Sequence, residues 1–64
     1  MVNINTATIE ELVQVVHIGT SRANQIISRR EEQRFKDIYE LSSMRGFGKS
    51  RLDDILKEGK LICE

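Results

Sequence analysis

The chain has 64 residues, with ten Lys or Arg against ten Asp or Glu, and so no net charge. One cysteine and one histidine leave no disulfide framework and no zinc-ligand spacing. No apolar run approaches the roughly 18 residues of a membrane span, no signal-peptide pattern opens the chain, and a domain this small buries only about 60% of its unfolded surface.

Thr8-Ile9-Glu10-Glu11 reads as a capping box, in which hydroxyl and carboxylate satisfy two N–H groups at a helix start. Ile9, Leu12, Val13 and Val16 follow at helical spacing and predict a first helix over 9–16. Gly19 closes a turn, after which Thr20 or Ser21 is the expected cap of a second helix over 21–33. Ala23, Ile26 and Ile27 would face inward, with Arg29, Arg30, Glu31 and Glu32 on the wet side. Phe35, in the connector 34–36, is the expected core plug between two halves. Asp37-Ile38-Tyr39-Glu40 repeats the capping box and opens a short helix to about Ser43. The Gly46-Phe47-Gly48 turn leads into a fourth helix over 49–58, with Leu52, Ile55 and Leu56 inward and Gly59 at its C′ position. The tail 59–64 is expected to run extended over the core through Leu61 or Ile62.

The two halves are copies of one design. With residues 9–27 set against 38–56, Ile9/Ile38, Glu11/Glu40, Leu12/Leu41, Gly19/Gly48, Ser21/Ser50, Arg22/Arg51 and Ile26/Ile55 are identical, and Val15/Met44, Ile18/Phe47 and Ile27/Leu56 keep apolar character. Such a repeat is one supersecondary unit used twice, each copy too small to bury its apolar face alone. The organisation is therefore a single domain over 1–64, with repeat 1 over 8–33, repeat 2 over 37–58 and a short tail. The fold class is all-α, two helical hairpins related by a pseudo-twofold.

Charge is distributed unevenly around the glycine turns. Residues 44–51 hold Arg45, Lys49 and Arg51 without an acid, and residues 15–22 hold His17 and Arg22 without one. Glycine permits φ > 0 and close approach of backbone to a ligand. A helix N-terminus behind it presents free N–H groups and the positive end of the dipole. An apolar helix end, a tight glycine turn, then a hydroxyl and a base is an arrangement suited to an anion.

Two glycine-turn hairpins at this spacing resemble the doubled helix-hairpin-helix DNA-binding motif. The opening Val2-Asn3-Ile4-Asn5-Thr6-Ala7, followed by Glu10-Glu11-Leu12, narrows the resemblance to the helix-hairpin-helix domain of the ComEA competence-protein family, over Val2 to about Ile62. The resemblance implies sequence-independent binding of double-stranded DNA through its phosphates. The contacts it carries over are His17, Ile18, Gly19, Thr20, Ser21 and Arg22 in the first hairpin, and Gly46, Phe47, Gly48, Lys49, Ser50 and Arg51 in the second. It also admits a monovalent cation on hairpin carbonyls, with no other cofactor. It implies a monomeric domain of an exported or membrane-anchored protein, outside the cytoplasmic membrane. The departure is His17, where the family's first hairpin usually has glycine. Histidine tolerates φ > 0 better than most residues, so the turn is expected to survive and the second hairpin to be the stronger half-site.

Other residues take blander readings. His17 reads as a surface loop side chain, with a phosphate contact as the alternative. Arg29, Arg30 and Arg34 read as a solvated face with Glu31 and Glu32. Lys49–Asp53 and Arg51–Asp54 have the spacing of helical ion pairs. Cys63 reads as a small apolar residue, and Phe47 as core. No catalytic dyad or metal set is present in the sequence, so an enzyme is not expected. The competing functions are a protein-interaction module that has lost DNA, and an accessory DNA-binding domain of a repair or processing protein.

Overall fold

The computed structural model describes all 64 residues. Its elements are β1 (Val2–Asn3), α1 (Ile9–Leu12), α2 (Thr20–Glu32), a 3-10 helix (Ile38–Ser43), α3 (Lys49–Glu58) and β2 (Leu61–Ile62).

The structure is mostly helical, as expected, but not wholly so. β1 and β2 pair in parallel, Val2 opposite Leu61 and Asn3 opposite Ile62. Val2 N–H donates to the Lys60 carbonyl at 2.7 Å and Ile4 N–H to that of Ile62 at 2.9 Å. Nothing local announces a strand of two residues; it exists because the tail, pinned by the buried Leu61, meets the opening segment.

α1 ends four residues short of the expected 9–16. Its capping box is present, with Glu11 N–H donating to Thr8 Oγ1 at 3.2 Å and Thr8 N–H to Glu11 Oε1 at 2.9 Å. After Leu12 the chain tightens into turns, Gln14 N–H reaching Glu11 and Val15 N–H reaching Leu12. That tightening turns Val15 and Ile18 into the core and leaves Val13 exposed. The third helix is likewise 3-10, and Met44 N–H repeats the bond of Val15 by reaching Leu41. α3 has the expected bounds and ends on Gly59 at φ 72°.

The core draws equivalent residues from both repeats: Leu12 with Leu41, Ile18 with Phe47, Ala23 with Leu52, Ile26 with Ile55. No polar or charged residue is buried. Leu56 departs from its expected inward place and is exposed, because Leu52 and Ile55 already cover the core side of α3.

Phe35 is buried between the repeats, and its surroundings correct the reading of the basic residues of α2. Arg29 lies over the Phe35 ring, 4.7 Å from its centroid, pairs with Glu40 at 2.8 Å and donates to the Gln33 carbonyl. Arg30 donates to the Ile4 carbonyl at 3.0 Å. Both are fasteners rather than a solvated face. Asn5 completes the fastening: it accepts from Phe35 N–H at 2.8 Å and donates to the carbonyls of Phe35 and Glu64, each at 2.9 Å. Asn3 Oδ1 accepts from the N–H groups of Asn5 and Glu64. The opening motif thus ties both chain ends to the connector. Cys63 belongs to this knot, donating to the Phe35 carbonyl, and burial pushes its thiol pKa up.

The second capping box is only half formed. Asp37 accepts from Glu40 N–H, but Glu40 turns to Lys36 N–H at 2.6 Å and to Arg29. The Lys36 N–H bond, with further help from Arg29, holds the Glu40 carboxyl below its ordinary value. Folding therefore favours the ionised form. This stabilisation is complete above the ordinary carboxylate range and is lost as pH falls through the lowered value. Glu40→Gln should lower the melting temperature at neutral pH and flatten the acid limb of a melting-temperature profile. An unchanged limb would show that the clasp contributes nothing.

Candidate nucleic-acid interface

The repeat extends to backbone geometry in the two turns. His17 is in the left-handed region at φ 66°, and its equivalent Gly46 is there at φ 90°. Gly19 and Gly48 are both extended and are the N-caps of α2 and α3. Arg22 donates to the His17 carbonyl at 3.3 Å, and Arg51 to the Gly46 carbonyl at 3.5 Å. Ile18 N–H reaches Val15 and Phe47 N–H reaches Met44. His17 thus holds the same left-handed turn conformation as Gly46.

These two turns differ from the other helix starts. α1 and the 3-10 helix each begin with a side chain accepting a backbone N–H, and each has an acid in its first turn. α2 and α3 have neither a side-chain cap nor a first-turn acid. The N–H groups of Gly19, Thr20, Ser21 and Arg22 find no acceptor within the chain, and neither do those of Gly48, Lys49, Ser50 and Arg51. The expected caps, Thr20 and Ser21, lie inside the helix, so their hydroxyls sit past the cap position. Each hairpin therefore ends in a cluster of free donors at the positive end of a helix dipole.

The structure divides the other expected site residues into two kinds. Thr20, Ser21, Gly48, Lys49, Ser50 and Arg51 are exposed around the free donors, with Gly19. Ile18 and Phe47 are buried and use their N–H groups within the turn, so they shape it instead of presenting donors. The ion pairs expected for Lys49 with Asp53 and Arg51 with Asp54 do not form. Lys49 and Arg51 face solvent beside the second turn, and Arg45 is exposed just before it.

Three contacts of the turns had no signal in the sequence. His17 is not an unattached loop side chain: its Nε2 lies 2.8 Å from Asp54 Oδ2 on α3. Val16 N–H donates to Glu58 Oε1 at 3.0 Å. Arg22 crosses to the other hairpin, 6.0 Å from the Phe47 ring centroid. Its buried Nε, without a hydrogen-bond partner, lies where a Cβ on Gly46 would come within 2.8 Å. The partners are 37 and 42 residues apart for His17 and Val16, too far for any local pattern to register.

A family model described as a helix-hairpin-helix motif matches residues 1–58. The chain is also 43% identical over 56 residues to ComE operon protein 1 of Bacillus subtilis (strain 168). That alignment covers 86% of this chain but only 27% of the relative, so the chain spans about a quarter of that protein's length. No solved structure matches it.

Proposed function

Because the chain belongs to the helix-hairpin-helix family, we propose that it is a non-catalytic module that binds double-stranded DNA through backbone phosphates without reading sequence. One observation carries this reading. The two helix starts at the glycine turns are left without an acceptor, while the other two are capped by the chain itself. Phosphate oxygens supply the missing acceptors. Contacts of this kind position a protein on a duplex and carry no sequence information. The matched dihedrals, N-caps and Arg-to-carbonyl bonds support two half-sites related by a pseudo-twofold, one for each strand.

The likeness to ComE operon protein 1 supports a ComEA-like role, in which this segment is the DNA-holding part of a longer receptor for uptake in transformation. No helix is long and apolar enough to cross a membrane.

Fluorescence anisotropy of labelled duplexes against a salt series tests the binding. About two to four phosphates are within reach of the two turns, so log K against log salt should fall with a slope of roughly −2 to −4. Duplexes of different sequence should bind equally. A slope near zero, or no binding at about 50 mM salt, would favour a protein-interaction module on the same fold. A marked preference for one sequence would contradict recognition through the backbone.

A further inference from the structure

The two hairpins share their backbone geometry but not their electrostatic surroundings. In the first, Glu58 Oε1 accepts the Val16 N–H at 3.0 Å; in the second, the equivalent N–H, that of Arg45, has no acceptor. In the first, Asp54 Oδ2 is 2.8 Å from the His17 ring; in the second, the equivalent Gly46 has no side chain to hold. Asp54 and Glu58 are four apart on α3 and so lie on one face of it. The cations are distributed the opposite way. Arg45, Lys49 and Arg51 surround the second turn without an ion pair. The first has Arg22, which, unlike the exposed Arg51, is half-buried against Phe47 of the other hairpin.

We propose that Asp54 and Glu58 are an acid clamp on the first hairpin. They hold the His17 ring and the Val16 N–H with carboxylate oxygens, just before the free donors of Gly19 to Arg22 in the chain, and so weaken the hold of that turn on a phosphate. Lys60 Nζ, 3.9 Å from Glu58 Oε2, offsets only part of that charge. The second hairpin is then the primary half-site, and the affinity of the module is set below what two equal hairpins would give. The inference rests on the DNA-binding reading. Its physical basis is that a carboxylate and a phosphate near one set of donors repel each other, and that the repulsion is screened within a Debye length of about 10 Å at 0.1 M salt.

Asp54→Asn with Glu58→Gln tests the clamp, because each amide keeps an acceptor oxygen for its partner while losing the charge. Affinity of the full chain for a mixed-sequence duplex should rise about three- to tenfold at low salt, and the gain should shrink as salt is added. Glu31→Gln with Glu32→Gln, at the far end of α2, removes the same charge away from the turns. It should raise affinity less than about twofold. Equal gains from the two double variants would overturn the clamp in favour of simple net charge. So would no gain in a double variant whose melting curve shows it folded. If the double variant melts early, Asp54→Asn alone gives the reading, with a gain of about twofold or more expected and no gain overturning the clamp. Binding by the parent chain without a gain rejects the clamp alone. No binding by any variant rejects the DNA-binding reading with it.

Discussion

Gly48→Asp should make the fold more stable and its hold on DNA weaker at the same time. Gly48 is the N-cap of α3 at φ −73° and ψ 171°, a conformation open to any residue. A Cβ there meets nothing within 4 Å. Neither the backbone nor the packing calls for glycine. Capping preferences rank aspartate above it, since aspartate at an N-cap accepts a first-turn N–H and its charge suits the helix dipole. The substitution should therefore raise stability by about 0.5–1 kcal/mol. The same carboxylate would occupy the N–H of Ser50 or Arg51 and repel the phosphate that uses the neighbouring donors. Duplex affinity should fall about tenfold or more, equivalent to at least ~1.4 kcal/mol.

The opposite signs are what give the test its force. A variant that merely damages the protein would lose stability and binding together. Gly46 shows the contrast: at φ 90°, with Arg22 Nε only 2.8 Å from its would-be Cβ, it is glycine for reasons internal to the fold. Gly19 repeats the open, extended geometry of Gly48 in the first hairpin. Under the clamp proposed above, Gly19→Asp should cost less binding than Gly48→Asp. Paired chemical denaturation and anisotropy titrations of Gly48→Asp measure both quantities. Undiminished affinity in this variant would mean that the N-terminus of α3 does not contact the phosphate backbone.

Much of the helical framework was legible in the sequence because it is written locally. The Thr8 and Glu11 box, the glycine turns and the 3.6-residue spacing of Leu52 and Ile55 each need only neighbours within a turn or two. The 29-residue offset adds what local signals lack, since it pairs the two turns across the length of the chain. The failures are of another kind. α1 ends early because the core takes Val15 and Ile18 through turns that the apolar spacing of 9–16 also fits. Arg29 and Arg30 look like solvent residues on a helical wheel, yet their targets, Phe35, Glu40 and the Ile4 carbonyl, arrive from other segments. The pairing of β1 with β2 joins opposite ends of the chain and has no local pattern at all. For the site, the turn residues and their charges were readable, whereas the Asp54 and Glu58 contacts depend on where α3 lies against the first hairpin. Spacing within one helix suggested that Asp54 would meet Arg51; tertiary placement gave it His17.

Lys49→Ala combined with Arg51→Ala should reduce affinity by the same factor for every duplex sequence. It should also make the salt slope shallower by about one to two, the signature of lost phosphate contacts. Both side chains are exposed on the first turn of α3, where their charge adds to that of the dipole. Folding should change by no more than about 0.5 kcal/mol, because neither makes an ion pair and Arg51 makes only the 3.5 Å bond to the Gly46 carbonyl. The choice of control decides what the experiment means. Arg29 and Arg30 are unsuitable, since removing them dismantles the Phe35 knot and confuses lost charge with lost structure. Lys36 and Lys57 are exposed, lie outside both turns and have ammonium groups that engage no carboxylate, so Lys36→Ala with Lys57→Ala removes equal charge while keeping the Lys36 N–H bond to Glu40. If the glycine turns are the site, this control pair should weaken binding much less and leave the slope nearly unchanged. If the two pairs lose affinity equally, the duplex is held by a diffuse cationic surface, and the free donors at the two turns have some other purpose.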